Sequence, residues 1–316
     1  MKRASLLLTG GTGFIGKSIL QRMLDSPIDS FELTILSRDA MAFMKAHPQF
    51  QQLENLRFLH GDIRSFTFPR TSFDFIIHAA TPASVKLEQD QPEEMYSIIV
   101  DGTRHLLDFA ARCGCKRLLF LSSGAVYGPQ PRTLARIPES HPCLPVLAYG
   151  KGKLLAEQLC TEAGTRHGFI VSIARCFAFV GPFLPLDVHF AIGNFMRDCL
   201  LNRPISINGD GTPLRSYLYA DDLVDWLFSI LAKGIHGRPY NVGSSEPISI
   251  ADLAYRVRLC AQTTNAIEIK GQPVPGQAAI RYVPDVDRIQ HELGVKQTVS
   301  LDDAIRRTLA WHRENG

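Results

Sequence analysis

The sequence lacks the features that hold small secreted proteins together. Its seven cysteines are irregularly spaced and include no C-x-x-C pair, so they predict neither a structural zinc site nor a disulfide framework. We expect free thiols, as in the reducing environment of the cytoplasm. The ten histidines are scattered without the spacing of metal ligands, and no bound metal is expected.

Two further absences narrow the class of partner. The sequence has no run of about 18 apolar residues, which a membrane-spanning helix would require. The formal net charge is only +3, and no basic stripe with interleaved aromatic residues points to nucleic acid. We therefore predict a cytoplasmic protein that binds neither a membrane nor a nucleic acid.

The composition that is present is that of a globular protein. Of the 316 residues, 45% are apolar and 21% are charged, close to the average for folded domains. In the first part of the chain, short apolar runs alternate with segments of helical periodicity, which predicts βαβ units and a parallel sheet. Strands are predicted at residues 5–8, 33–36, 56–59, 73–77, 117–121 and 170–174, and helices at 14–24, 94–112 and 147–163.

This pattern changes after about residue 180, where glycines and prolines interrupt the chain repeatedly. Apolar periodicity still predicts helices at residues 190–201, 221–232, 250–260 and 301–313. We predict an α/β fold with a Rossmann-type doubly wound parallel sheet over residues 1–180. Residues 181–316 are predicted to form a smaller C-terminal substrate-binding lobe, with some segments returning to the core sheet. Ligands of such sheets bind beyond the carboxyl ends of the strands.

A glycine-rich turn, Gly-Gly-Thr-Gly-Phe-Ile-Gly, lies between the first predicted strand and the first predicted helix. Glycine allows a tight turn and a close approach to a pyrophosphate, and the helix N-terminus offers unpaired amide groups. The strand–turn–helix context therefore predicts dinucleotide binding. The predicted contacts in this turn are Gly10, Thr12, Gly13, Phe14, Ile15 and Gly16.

The end of the second predicted strand bears on which dinucleotide binds. An acidic residue usually holds the ribose 2′-hydroxyl there, but this chain has Ser37 and Arg38. A hydroxyl and a guanidinium suit a 2′-phosphate, which favours NADP over NAD. Alternatively, Arg38 stacks on the adenine or faces solvent, and Asp39 caps the next helix. Asp62 and Ile63 follow the third strand and are predicted to meet the adenine, unless Asp62 only stabilises a turn.

The fourth predicted strand ends at His78, against the predicted cofactor. The backbone of Ala79 and Ala80 is expected to matter more for binding than the histidine ring. Thr81 is predicted to contact the cofactor and Ser84 the substrate, with a loop-capping role as the alternative for both residues.

Tyr149 and Lys153 stand four residues apart in a predicted helix and so share one face. Because a nearby ammonium group stabilises a phenolate, we expect the pKa of Tyr149 to fall from its usual value of about 10 toward neutral pH. Tyr149 is then a candidate general acid and base for a sugar hydroxyl or carbonyl. Ser123 ends the fifth predicted strand, where its hydroxyl can contact the same substrate oxygen.

Motifs of one family recur along nearly the whole chain. They are Thr9–Gly16, Gly61-Asp62, His78–Ala80, Asp101–Thr103, Ser122–Gly128, Tyr149 with Lys153, Gly181-Pro182, Asn208–Gly211, Arg215–Asp222 and Tyr240–Gly243. This set resembles the extended short-chain dehydrogenases/reductases, in the group of NAD(P)-dependent nucleotide-sugar epimerases and dehydratases. The resemblance implies a nucleotide diphosphate sugar as substrate and a homodimer formed through two helices of each subunit, at 94–112 and 147–163.

The resemblance also implies roles for the candidate residues near the cofactor. Ser123, Tyr149 and Lys153 would be the catalytic triad. Tyr149 and Lys153 would also contact the cofactor, with Lys153 holding the nicotinamide ribose.

Further candidates lie in the predicted C-terminal lobe. Asn194 and Arg215 match family positions that contact the substrate nucleotide and its diphosphate, and Arg281 matches a weaker position of the same kind. Considered by itself, Arg215 can clamp phosphate oxygens or form a surface ion pair with Asp221 or Asp222.

The chain departs from the resemblance directly after Ser123. Dehydratases of the group usually carry Asp-Glu at the next two positions, and those that invert C5 carry Asp-Lys, but this chain has Gly124 and Ala125. Neither residue can transfer a proton, which disfavours elimination and decarboxylation. Ile99 and Ala178 stand where two asparagines are usual, the second of which contacts the substrate diphosphate.

Two reactions need only the serine, the tyrosine, the lysine and a nicotinamide. One is net reduction of a 4-keto sugar nucleotide, and the other is epimerisation at C4. Because Ser37 and Arg38 indicate NADP, the preferred prediction is a 4-keto sugar reductase with Tyr149 as general acid. The alternatives are a 4-epimerase with recycled NAD, a 4,6-dehydratase and, from another class, a non-catalytic NADP-binding redox sensor.

Overall fold

The computed structural model describes residues 3–26, 31–81, 85–187 and 190–315. The strands are β1 (Ala4–Thr9), β2 (Phe31–Ser37), β3 (Leu56–His60), β4 (Phe75–His78), β5 (Arg117–Ser123), β6 (Ile170–Cys176), β7 (Phe179–Val180), β8 (Ile205–Ile207), β9 (Leu214–Arg215), β10 (Leu218–Tyr219), β11 (Pro239–Val242), β12 (Ile248–Ser249), β13 (Ile267–Ile269) and β14 (Arg281–Tyr282). The helices are α1 (Phe14–Asp25), α2 (Ala40–Ala46), α3 (Val85–Asp90), α4 (Pro92–Arg112), α5 (Ala148–His167), α6 (Ala191–Leu200), α7 (Ala220–Lys233), α8 (Ile250–Ala261), α9 (Asp287–Leu293) and α10 (Leu301–Asn315).

A seven-stranded sheet has the order β11-β6-β5-β4-β1-β2-β3. The neighbouring strands from β3 to β6 pair in parallel. Leu6, Leu7 and Leu8 of β1 are fully buried, as expected for a parallel strand covered on both faces. The order of connection reverses between β1 and β4, so the carboxyl ends of these strands form the switch point at which such folds bind ligands. The prediction of a Rossmann-type doubly wound sheet is confirmed.

The chain divides into two compact units, of which the first comprises Met1–Gly128, Pro142–Cys176 and Val224–Tyr240. In this unit α4 packs inward through an apolar face, whereas the buried face of α5 consists mostly of small residues. Ile99 and Leu106 of α4 share a buried cluster with Ala156 of α5 and with Leu118 and Phe120 of β5. This packing fixes the position of α5 against the end of β5.

The second unit comprises Pro129–His141, Phe177–Leu223 and Asn241–Gly316. Its short strands form a three-stranded sheet of order β12-β9-β14, in which β9 pairs antiparallel with β12 and parallel with β14. β8 and β13 form a separate parallel pair. The rings of Phe183 and Trp311 meet edge to face at 4.6 Å, and this contact helps to join the end of α10 to the rest of the unit.

Several short elements have no counterpart in the periodicity of the sequence. In α2, only Phe43 is buried, so the helix has almost no apolar face for a pattern to reveal. Its start is marked instead by Asp39, whose carboxylate accepts the amide hydrogen of Ala42 at 2.8 Å. The helix cap that one interpretation of Asp39 predicted is therefore present.

Candidate active site

The turn between β1 and α1 is shaped by close contacts within the chain. Gly10 has a φ of +72°, and a Cβ there would lie 2.6 Å from the carbonyl carbon of Ala79. A Cβ on Gly16 would overlap the backbone of Gly11. Both positions therefore need glycine for the turn itself, one for its left-handed backbone and both for the lack of space.

Gly13 differs because protein atoms leave its Cβ position open. The nearest contact of a Cβ would be the Gly10 carbonyl oxygen at 3.4 Å, and the φ of −83° suits any residue. Gly13 is also the N-cap of α1, where it offers no side-chain acceptor, and the first turn of the helix has no acidic residue. The open space, the amide groups and the positive end of the helix dipole fit a pyrophosphate. A bound dinucleotide would be held here by Gly10, Thr12, Gly13, Phe14, Ile15 and Gly16.

The end of β2 has an exposed cation beside a buried hydroxyl. Ser37 is buried, and its Oγ accepts the amide hydrogen of Asp39 at 3.2 Å. Arg38 is exposed at the surface. The residues predicted to select the dinucleotide therefore sit at the carboxyl edge of the sheet, with the guanidinium accessible to a ligand.

Asp62, after β3, is already engaged by the chain. Its Oδ1 accepts from the amide of Arg64 at 3.0 Å and from Nε of the same residue at 3.2 Å. Burial raises the pKa of Asp62, but the hydrogen bonds from Arg64 outweigh burial and hold the pKa below its ordinary value. The turn role that one interpretation predicted is present, and adenine contact by Asp62 stays a prediction. Ile63 is buried, and a Cβ on Gly102 would lie only 2.9 Å from its Cγ2.

The three predicted catalytic residues come together in the first unit. Ser123 ends β5, while Tyr149 and Lys153 occupy the first turns of α5. The Ser123 hydroxyl acts to lower the pKa of the Tyr149 phenol, against the larger effect of burial. Nζ of Lys153 lies 5.9 Å from the centroid of the Tyr149 ring and donates to Thr81 Oγ1 at 2.7 Å and to the Leu121 carbonyl at 2.6 Å.

Burial is the largest influence on the pKa values of Tyr149 and Lys153. It raises the pKa of Tyr149 to about 12 and lowers the pKa of Lys153 to about 8. The prediction of a lowered tyrosine pKa is therefore wrong for the chain alone. The physical reason is that the phenol loses water on burial while the ammonium group is directed at Thr81 and Leu121 rather than at the phenol oxygen. In this state Tyr149 carries its proton and can donate it.

Glu88 contacts Tyr149 from α3, a contact that no sequence spacing indicates. Its carboxylate accepts the amide hydrogen of Tyr149, at 3.0 Å from Oε2 and 3.3 Å from Oε1. Leu147, the N-cap residue of α5, offers no side-chain acceptor. Glu88 instead accepts a hydrogen bond from one of the free amide groups at the start of that helix. Its charge adds to the raised pKa of Tyr149, after burial and Cys176.

A buried ion pair lies beside the end of β5. Arg175 of β6 and Glu157 of α5 meet at 2.7 Å between Nη2 and Oε2. The hydroxyl of Ser122 donates to the same carboxylate, and Nη1 of Arg175 donates to the Tyr127 hydroxyl at 3.0 Å. The pair therefore connects β5, β6 and α5 next to Ser123.

Two residues predicted to contact the substrate lie on adjacent strands of the second unit. The register of β9 and β14 puts Arg281 opposite Leu214, next to Arg215. Nη1 of Arg215 donates to the Leu214 carbonyl at 2.9 Å, and Nε of Arg281 is buried without an acceptor in the described part of the chain. The alternative ion pair of Arg215 is not formed, since Asp221 pairs with another arginine and Asp222 accepts backbone hydrogens.

The remaining predicted substrate residues are separate from this pair of strands. Asn194 lies on α6, and its Oδ1 accepts from Nη1 of Arg197 at 3.4 Å. Ser84 lies outside the described residues.

Across the described ranges, no helix is both long enough and apolar enough to cross a membrane.

Known proteins with similar sequences belong to a family that agrees with this fold and site. Residues 6–243 fit the family model described as the NAD dependent epimerase/dehydratase family. The chain is 28% identical over 324 residues to the dTDP-D-glucose 4,6-dehydratase of Mus musculus, covering 98% of this chain and 89% of that protein.

Solved structures show the same fold. The dTDP-glucose 4,6-dehydratase DesIV of Streptomyces venezuelae, solved with NAD bound, has a TM-score of 0.83 at 26% identity and covers 98% of this chain and 97% of its own. The UDP-N-acetylglucosamine 4-epimerase of Methanobrevibacter ruminantium has a TM-score of 0.87 at 22% identity, with 100% of both chains covered. The glycine turn, the sheet order and the family match lead to one conclusion. The chain belongs to the NAD-dependent epimerase/dehydratase family of extended short-chain dehydrogenases/reductases.

Proposed function

We propose that the protein reduces the 4-keto group of a nucleotide diphosphate sugar with NADPH. The observation that carries the proposal is the pair Gly124 and Ala125, which follows Ser123 in a 3₁₀ helix at Gly124–Tyr127. Elimination of water needs a further acid and base beside the tyrosine, and these two residues have no group that transfers a proton. Reduction at C4 needs a hydride and a single proton.

Tyr149 is the proposed source of the proton. With a pKa raised to about 12 by burial, its phenol is protonated at neutral pH. Tyr149 Oη would donate to the C4 oxygen of the substrate, and the Ser123 hydroxyl would position that oxygen. Burial lowers the pKa of Lys153 to about 8, so at neutral pH the ammonium is still largely charged and stabilises the phenolate that forms. When bound, the dinucleotide supplies the hydride from its nicotinamide.

The nucleotide part of the substrate is assigned to the second unit. Arg215 and Arg281 occupy neighbouring strands, and guanidinium groups bind phosphate oxygens with paired hydrogen bonds. Asn194 on α6 would add a contact to the nucleotide. A homodimer formed through α4 and α5 and a cytoplasmic location complete the proposal.

The proposal is tested with purified protein, NADPH and a panel of 4-keto sugar nucleotides that differ in nucleobase and sugar. We expect stoichiometric oxidation of NADPH and a product heavier than the substrate by two hydrogen atoms. Interconversion of C4 epimers without net oxidation would identify a 4-epimerase instead. Loss of water would identify a dehydratase, and tight NADP binding without turnover across the panel would identify a redox sensor.

The choice of NADPH gives a separate prediction. Replacing Arg38 by alanine is expected to raise the Kd of NADPH by about 10- to 100-fold, the value of one lost charge-assisted contact to a 2′-phosphate, and to leave the Kd of NADH unchanged. Calorimetric titration of both dinucleotides measures the effect. Lys45→Ala, which removes the same charge from an exposed position on α2, is the matched control. Equal affinities of Arg38→Ala and Lys45→Ala for NADPH would contradict the prediction.

A further inference from the structure

The ring of His78 is the centre of a buried hydrogen-bond chain at the end of β4. Thr9 and Thr103 are fully buried, and His78 is only 2% exposed. Nδ1 of the ring lies 2.8 Å from Thr9 Oγ1, and Nε2 lies 3.0 Å from Thr103 Oγ1. Thr103 Oγ1 donates to the Ile99 carbonyl at 2.6 Å, and Thr9 Oγ1 accepts from the Ala80 amide at 3.2 Å.

The two ends of this chain determine where its protons lie. The hydroxyl proton of Thr103 is used on Ile99, so its oxygen accepts from Nε2–H of His78. In a neutral ring with its proton on Nε2, Nδ1 accepts the hydroxyl proton of Thr9, while the Thr9 oxygen accepts from the Ala80 amide. The network therefore suits the neutral Nε2–H form. Burial and, after it, the charge of Lys153 lower the pKa of His78 to about 3, so the ring keeps this state at neutral pH.

The hydrogen-bond chain through His78 ends in the turn that follows β4. This turn contacts two parts of the site. On one side, Ala79 packs closely on Gly10: a Cβ on Gly10 would lie 2.6 Å from the carbonyl carbon of Ala79. On the other side the Ala80 carbonyl accepts from the Thr81 hydroxyl at 2.8 Å. Thr81 Oγ1 in turn accepts from Nζ of Lys153 at 2.7 Å. One turn therefore links the glycine loop to the predicted ribose-binding lysine.

We propose that His78 and Thr103 are positioning residues for the dinucleotide, which fix the turn Ala79–Thr81 in its binding conformation before the ligand arrives. A turn that is ordered in advance spares binding the entropic cost of ordering it. The sequence prediction gave the ring little weight, whereas the structure builds the turn on it. This inference rests on dinucleotide binding at the glycine loop, and it is independent of the sugar and of the direction of the reaction.

The first test removes the far end of the chain without changing side-chain shape. Thr103→Val leaves Nε2–H of His78 without an acceptor, and we expect the Kd of NADPH, measured by calorimetry, to rise about five- to tenfold. Thr103→Ser restores the hydroxyl and is expected to restore the Kd.

Thr308 on α10 provides a matched control. It is also fully buried and donates to the carbonyl four residues before it, Ala304, at 2.7 Å, but it has no place in the chain through His78. Thr308→Val is expected to leave the Kd unchanged. Equal effects of Thr103→Val and Thr308→Val would overturn the inference, because the loss would then follow from any buried helical threonine.

The second test uses the wild-type protein without ligand, so it does not depend on a variant that folds. Nitrogen-15 NMR of the His78 ring is expected to show the Nε2–H form and no titration between about pH 5 and pH 8. A proton on Nδ1, or a ring that titrates in this range, would overturn the proposed chain. A wild-type protein that folds but binds neither NADPH nor NADH would remove the premise and refute the inference. Failure of the proposed reduction alone would leave the Kd measurements standing.

Discussion

Replacing Tyr149 by phenylalanine is expected to lower the turnover number by about 10²- to 10⁴-fold, the usual contribution of a general acid. The change removes one hydroxyl and keeps the ring that packs at the start of α5. The affinity for the dinucleotide is expected to stay within about twofold, since we propose that the glycine turn and Lys153 provide most of the contacts to that ligand.

The size of this effect follows from the protonation state of the site. Burial raises the pKa of Tyr149 to about 12, so the residue is a proton donor throughout the neutral range and not a preformed phenolate. In the direction of reduction, the substrate oxygen gains its proton from this group. Phenylalanine has no proton to donate and cannot replace the donor.

Steady-state turnover and calorimetric titration of NADPH measure the two parts of the prediction. Tyr96→Phe is the matched control, since Tyr96 lies on α4 with 36% of its surface exposed and the same hydroxyl is lost. The control is expected to retain wild-type turnover. If Tyr149→Phe also turned over at a rate near that of the wild type, Tyr149 would not be the proton donor.

The parts of the site that the sequence predicted are those that depend on local spacing. The conformation of the glycine turn leaves no room for a side chain at Gly10 or Gly16, and this need is visible as glycines at fixed intervals. Tyr149 and Lys153 share a helix face whether or not they are buried, because a separation of four residues is about one helical turn. Six strands of the seven-stranded sheet were visible as short apolar runs, whereas β11, with the sequence Pro-Tyr-Asn-Val, has no such run and was missed.

Other features depend on contacts between distant segments. Glu88 reaches the amide of Tyr149 across 61 residues of sequence, which no local pattern records. The direction of the Tyr149 pKa shift was mispredicted because it is set by burial, which only the packed fold determines. Strands of two residues, such as β9 and β14, are too short for alternation to reveal. The positions of Arg215 and Arg281 on neighbouring strands therefore became visible only in the structure.

Removing one partner of the pair formed by Arg175 and Glu157 is expected to be among the most destabilising single substitutions in the protein. Their side chains are 7% and 6% exposed, and Arg175 donates to Glu157 through Nε at 3.0 Å and Nη2 at 2.7 Å. Paired charges of this kind satisfy each other, but either charge left alone is costly in a buried site. Glu157→Ala is expected to lower the free energy of unfolding by about 3–5 kcal/mol.

Urea unfolding of three variants separates the pair from the surrounding packing. Glu157→Met combined with Arg175→Met is expected to recover most of the stability lost in Glu157→Ala, because no buried charge is then left without a partner. Arg104→Ala, which breaks the exposed pair with Asp101, is expected to cost only about 0–1 kcal/mol. A double variant as unstable as Glu157→Ala would mean that hydrogen bonds to Ser122 and Tyr127, rather than charge pairing, carry the stability. The carboxylate would then act chiefly as an acceptor that holds the end of β5 in place beside Ser123.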